Sequence, residues 1–162
     1  MLLNQTGLVW IGRRFDKQNE EGKGHWWQMP QGGIDAGEDP KRAAMRELAE
    51  ETAVTSAEVI AESPGWYSYD LPKQLIGKSW KGKYRGQTQK WFALRFLGED
   101  AEVNLASPGH KQEFDQWRWA PMDEVVQLIC RSNVASMSVW PPISDIWRRE
   151  INPICLAYGC IV

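Results

Sequence analysis

A chain of 162 residues, with 43% hydrophobic and 25% charged residues, is long enough for a single hydrophobic core. Its formal net charge of −2 excludes a uniformly basic nucleic-acid coat, so any site for a polyanion must be local. No apolar run approaches the ~18 residues of a membrane span. Met1-Leu2-Leu3 passes at once into Asn4-Gln5-Thr6-Gly7 without the basic lead of a signal peptide, so a cytoplasmic location is expected.

Gly7 to Ile11 reads as a strand that Arg13-Arg14-Phe15 carries toward a polar loop ending near Gly24. Trp27 to Met29 is a short strand feeding the glycine loop Gly32-Gly33-Ile34-Asp35-Ala36-Gly37-Glu38. A helix follows. Asp39 can cap it, Pro40 suits its first position, and Ala43, Ala44, Met45, Leu48 and Ala49 are helix formers or apolar. Ala44, Leu48 and Met45 are expected to face the core. Glu58 to Glu62 and Trp66 to Leu71 have strand character. Trp91 to Leu97 is the clearest strand and is expected to be central, with Glu102 to Leu105 a further candidate. Phe114 to Trp119 alternates again, and Pro121 opens a last helix. There is no internal repeat and no linker. The ten tryptophans are expected in the core or in a cleft, because each hides a large area.

The chemistry is concentrated on the first helix, where Glu47, Glu50 and Glu51 share one stripe. Like charges at such spacing cost a few tenths of a kcal/mol per pair, a repulsion that a cation among them would offset. Divalent magnesium takes oxygen ligands and bridges to substrate phosphates, so the stripe reads as a metal platform for phosphate chemistry. Arg46, four residues before Glu50, is placed to pin a carboxylate. The bland alternative is a solvated Glu-rich helix, and the glycine loop and cap beside the acids weigh against it.

Gly32, Glu38, Arg46-Glu47, Leu48, Glu50-Glu51 and Val54 match the Nudix box, Gly-x5-Glu-x7-Arg-Glu-U-x-Glu-Glu-x-Gly-U, in which U is aliphatic. The chain thus resembles the Nudix hydrolases. One position departs: Ala53 stands where the box has its last glycine, and a positive φ there would strain alanine by roughly 1 kcal/mol. Outside the box, Trp27 to Gly33, Gln89-Lys90-Trp91-Phe92 and Glu113 to Trp119 are similar to the bacterial RNA pyrophosphohydrolases, themselves close to dinucleoside polyphosphate hydrolases. The matches run from about Gly7 to Ile129.

The resemblance implies an α/β/α sandwich around a mixed sheet and metal-dependent attack of water on a phosphoanhydride. It implies that Glu47, Glu50, Glu51 and Glu113 hold two or more Mg²⁺ or Mn²⁺ ions, and that Arg46 orients a glutamate. The general base is one of these carboxylates, with Glu51 preferred and Glu113 open. By sequence alone Glu113 reads rather as an exposed strand-end acid, and only the family position brings it to the metal site. Arg14, Gln87 and Lys90 are expected near the substrate phosphates or nucleoside, together with Tyr69 and the backbone of Gly32 and Gly33. The substrate is expected to be a triphosphorylated RNA 5′ end or a dinucleoside polyphosphate, not duplex DNA.

From Asp70 to Glu99 the chain carries Lys73, Lys78, Lys81, Lys83, Arg85, Lys90 and Arg95 without an intervening acid, beside Trp66, Tyr67, Tyr69, Trp80 and Tyr84. Cations beside rings can hold phosphates while bases stack, although a solvated lysine loop accounts for Lys78, Lys81 and Lys83 almost as well. Arg13-Arg14 can equally be surface charge. Magnesium does not need His25 or His110, for which loop or core hydrogen bonding is expected.

The two ends depart from the family. The resembling enzymes begin with a Tyr-Arg-Pro segment and a first strand before the equivalent of Leu2; this sequence is read as starting partway into that strand, and an RNA-contacting arginine is expected to be missing. After the pair matching Leu128-Ile129 they continue Val-Pro-Phe-Lys-Arg, where this chain has Cys130-Arg131-Ser132-Asn133-Val134. Written as GTG-CCG-TTC-AAA-CGT and begun one base later, the expected residues read Cys-Arg-Ser-Asn-Val. Residues 1–129 are therefore read as the hydrolase domain and 130–162 as an out-of-frame tail, in which all three cysteines fall. An inactive nucleotide- or RNA-binding remnant is the third functional reading, and metal-dependent turnover separates it from both enzymes.

Overall fold

The computed structural model of the chain describes residues 1–14, 27–70, 84–106 and 109–132. Its elements in order are β1 (Leu2–Leu3), β2 (Val9–Arg14), β3 (Trp27–Gln28), α1 (Pro40–Thr52), β4 (Ala57–Glu62), β5 (Tyr67–Asp70), β6 (Gly86–Gln89), β7 (Phe92–Phe96), a 3₁₀ turn (Asp100–Glu102), β8 (Phe114–Ala120) and α2 (Met122–Ser132).

Six strands form one mixed sheet in the order β3-β2-β1-β7-β4, with β8 also paired to β2. β1 runs parallel to β7, with Leu2 opposite Leu94, and every other pairing in that sheet is antiparallel. β5 and β6 form a separate antiparallel hairpin. The turn from β1 to β2 is built by Asn4, whose Oδ1 accepts from Thr6 N and Leu8 N, and by Gly7 at φ 79°.

Alternation along the strands divides the core in two. Leu2, Trp10, Phe92, Leu94, Phe96 and Phe114 pack with Leu48 of α1 and with Val54 just beyond it. Leu3, Val9, Ile11, Ala93 and Ala120 pack with Met29 and with Met122 and Val125 of α2. The sheet is thus covered by one helix on each face, the expected α/β/α sandwich. Each fully buried large side chain contributes roughly 1.5–3 kcal/mol to holding it.

The expectations for individual elements fare unevenly. Asp39 caps α1 by accepting from Arg42 N at 3.0 Å, and Pro40 is its first residue. Ala43 rather than Ala44 is fully buried with Leu48, while Ala44 and Met45 are partly buried against the same cluster. Ala53 does take a left-handed conformation, φ 62° and ψ 2°. The Glu102–Leu105 strand is not formed. Glu102 Oε1 instead accepts from Thr55 N (2.7 Å) and Ser56 N (2.9 Å), which holds this segment in a 3₁₀ turn across the end of α1. Trp10 is fully buried, whereas Trp66, beside the separate hairpin, is 52% exposed and departs from the expectation for tryptophans. Trp26, Trp80, Trp140, Trp147, His25, Lys73, Lys78, Lys81 and Lys83 lie outside the described residues. So do residues 133–162; the 129/130 boundary expected from sequence falls inside α2.

Candidate active site

The glycine loop and α1 are joined through Arg46. Its Nε and Nη2 form a fork on the carboxylate of Glu38 (2.9 Å each), Nη2 also donates to Gly33 O (2.8 Å), and Nη1 reaches Glu47 Oε1 (2.8 Å) and Glu50 Oε1 (3.3 Å). A guanidinium has five N–H donors in a rigid fork, and five acceptor contacts occupy it here. Arg46 therefore ties Glu38, Glu47 and Glu50 together. The same contacts push its pKa up and hold Glu38 at about 2, the Arg46 fork first and the Asp35 backbone N–H second. Glu38 was legible only as a fixed position of the motif; its service to Arg46 requires the loop to fold back, which spacing does not reveal.

Gly32 makes that return possible. A Cβ on Gly32 would lie 1.8 Å from Glu47 Cδ, so a side chain there would push the Glu47 carboxylate off its contact with Arg46.

Glu51, next to Glu50 in sequence, has the opposite surroundings. It is 8% exposed, and its Oε2 accepts from Gln31 N at 3.0 Å. Burial pushes its pKa up to about 8; the negative charges of Glu113 and Glu47 push the same way, against the Gln31 N–H and Arg14. Glu113, just before β8, lies 2.5 Å from Arg14 Nη1 at the end of β2. The neighbouring Arg13 has a separate partner, with a two-point contact to Asp115 (2.8 and 2.6 Å) that ties β2 to β8. Glu50 completes the group: its Oε2 is 3.5 Å from His110 Nδ1. The Gln31 and His110 contacts carry no sequence signal, because both cross between elements.

The remaining expected residues line a cleft of about 690 Å³ between the start of α1 and the β6–β7 segment. Gly32, Gly33, Glu47, Gln87 and Lys90 border it, with Trp91 and Phe92 on its apolar side. Lys90 Nζ donates to Ser63 O and lies 3.8 Å from Glu62 Oε1. Tyr69 is paired through its backbone with Gln87, and its side chain lies outside the described residues. Arg14 and Glu113 stand by Glu51, away from the cleft lining, and Glu47 belongs to both groups.

Among the described residues no group of three or more His, Cys, Asp or Glu side chains is placed, as it stands, to hold a metal ion. The donor set nevertheless suits a hard cation: all its ligating atoms are carboxylate oxygens, and magnesium is held by one or two carboxylates together with water and substrate phosphates. A buried carboxylate destabilised by its like-charged neighbours is also one that a cation would relieve.

The match of a family model settles which family this constellation belongs to: the NUDIX domain model covers residues 1–137. The chain is a Nudix hydrolase. Members of this family are generally divalent-metal dependent. The RNA pyrophosphohydrolase of Afipia carboxidovorans is 57% identical over 130 residues, which span 80% of this Nudix chain and 78% of that protein. The RNA pyrophosphohydrolase of Brucella ovis is 54% identical over 133 residues, spanning 80% and 75%. Among solved structures, the dihydroneopterin triphosphate pyrophosphohydrolase of E. coli superposes with a TM-score of 0.59 at 18% identity, covering 86% of this chain and 92% of that one. That likeness is one of fold. Among the described residues no helix is long and apolar enough to cross a membrane.

Proposed function

We propose that this Nudix hydrolase removes pyrophosphate from the triphosphorylated 5′ end of RNA. The observation that carries the reading is the environment of Glu51: a buried carboxylate with a raised pKa, fixed by a backbone N–H and facing the charges of Glu47 and Glu113. Such a group is held ready to accept a proton or a cation beside a phosphate. The named relatives at 54–57% identity supply the substrate class.

Glu47, Glu50, Glu51 and Glu113 would hold Mg²⁺ or Mn²⁺. Bound there, the ions would neutralise charge on the anhydride oxygens and acidify a water molecule. Arg46 keeps Glu47 and Glu50 in place, and its occupied donors leave the substrate to other groups. Gln31 N–H fixes one oxygen of Glu51, so the other is the one presented to a water proton. Gly32 and Gly33 bring bare backbone to the cleft, where phosphates can approach closely. Gln87, Lys90 and the ring of Trp91 line the side where a nucleotide would lie.

The test is product release by the purified chain with Mg²⁺, on triphosphorylated RNA and on diadenosine tetraphosphate in parallel. Pyrophosphate released faster from RNA, and abolished by Glu51→Gln, is the expected result. Faster cleavage of the dinucleotide would assign the site to dinucleoside polyphosphates. A folded protein inert on both would return the chain to the class of binding remnants.

A further inference from the structure

The two oxygens of Glu50 are approached from different elements. Oε1 lies 3.3 Å from Arg46 Nη1, and Oε2 lies 3.5 Å from His110 Nδ1. Arg46 is on the same helix, one turn back, so it fixes Glu50 only relative to α1. His110 comes from the segment that leads into β8, three residues before Glu113. Gly109, at φ 87°, turns the chain immediately before it, a conformation natural to glycine. Beyond it, Gln112 Nε2 donates to Phe114 O at 2.7 Å, and Phe114 is fully buried edge-on to Trp10. The segment carrying Glu113 is therefore anchored by packing at its β8 end and faces α1 through the His110 imidazole at the other.

We propose that His110 is a positioning residue for Glu50, linking the helix-borne carboxylates to the segment that carries Glu113 and so setting the spacing of the cation site. The inference rests on the reading of Glu50 and Glu113 as metal-holding groups. The contact is a close approach of imidazole and carboxylate, longer than the 3.3 Å hydrogen bond that Arg46 makes to the other oxygen. A partner on one oxygen fixes the rotamer of the carboxylate and leaves the other oxygen to bind; removing such partners typically costs 10- to 100-fold in metal affinity.

The test compares His110→Ala with His110→Asn, whose amide nitrogen stands near the position of Nδ1. Mn²⁺ binding to the substrate-free protein is followed by electron paramagnetic resonance of the free ion, beside kcat and KM on triphosphorylated RNA and Tm without metal. His110→Ala is expected to weaken Mn²⁺ binding about 10-fold and to raise the Mn²⁺ needed for half-maximal turnover equally. KM for RNA at saturating metal and the metal-free Tm should stay unchanged. His110→Asn should recover most of the affinity. Wild-type affinity in His110→Ala would overturn the proposal, as would equal impairment of both variants or no Mn²⁺ binding by the parent protein. Because the titration contains no RNA, failure of every form on RNA alone would count against the substrate reading and leave this result standing.

Discussion

Two ends of one acidic helix face solve the problem of crowded charge in opposite ways. Around Arg46, each of Glu38, Glu47 and Glu50 meets a guanidinium N–H, and Glu38 is held at about 2. Around Glu51, about a turn and a half beyond Arg46, the carboxylate is buried near Glu47 and Glu113 and its pKa rises to about 8. The first end is a finished structure, while the second buries a carboxyl whose ionised form the Gln31 N–H and Arg14 offset only in part, in a place where folding alone gains nothing from it. Such local conflict is what the proposed cation site would resolve, because a bound cation would supply the missing partner from outside.

The largest effect is expected at the unsettled end. Glu51→Gln should lower turnover by about 10²- to 10⁴-fold, the usual contribution of a proton-transferring side chain. It should also stabilise the metal-free protein. The sign follows from linkage: a carboxyl whose pKa is raised from the ordinary 4.5 to about 8 binds its proton more tightly in the folded chain. Stability is then lost as pH rises from 4.5 to 8, the window in which the unfolded chain has released that proton and the folded chain is forced to. The buried Met1 amino group, held at about 5, contributes the opposite slope in both proteins, so the sign is read from their difference: the parent's metal-free Tm should fall relative to that of Glu51→Gln across the window, and the variant should melt higher at its upper end. A variant that melts lower there would break the contrast between the two ends.

Breaking the settled end should give a smaller and different loss. Arg46→Lys keeps the charge but replaces a five-donor fork by a compact ammonium that cannot span Glu38, Gly33 O, Glu47 and Glu50 together. A loss of about 10- to 100-fold in turnover is expected, the range for a residue that orients ligands without touching substrate. Tm should fall with and without metal, in contrast to Glu51→Gln. Activity assays paired with melting curves distinguish the cases, and an Arg46→Lys variant melting like the parent would remove Arg46 from its role as scaffold.

The sequence carried one end of this face better than the other. Asp39, Pro40 and the spacing of Arg46 to Glu50 are local, within a turn or two of helix, and the structure keeps them as they read. The difference between the adjacent Glu50 and Glu51 is not local. It arises because Gln31 and Glu113, from two other elements, stand against one carboxylate, while Arg46 holds the other and His110 lies 3.5 Å from it. Glu102 shows the same limit: its segment alternates like a strand, yet the free N–H groups of Thr55 and Ser56 after α1 capture its carboxylate and hold a 3₁₀ turn. The division of the core was legible from alternation, since Leu2 and Leu3, or Trp10 and Ile11, had to face opposite sides of any strand that contains them.

The smallest effect lies just past the helix, and it tests whether strain at Ala53 belongs to the site or only to the scaffold. Ala53 holds φ 62° while its N–H donates to Ala49 O at 2.9 Å, closing α1 in the left-handed conformation that glycine takes without steric cost. Its side chain makes alanine pay roughly 1 kcal/mol for that position, part of which the greater freedom of glycine in the unfolded chain would cancel. Ala53→Gly should therefore stabilise by at most about 0.6 kcal/mol, a rise of roughly 1–2 °C in Tm for a chain of this size. Turnover should not change, because the hydrogen bond that ends the helix is kept and Glu51 lies on the preceding turn. An altered kcat at unchanged fold would mean that the strain reaches the carboxylate two residues away, and the two ends of the helix face would then be coupled through its terminus.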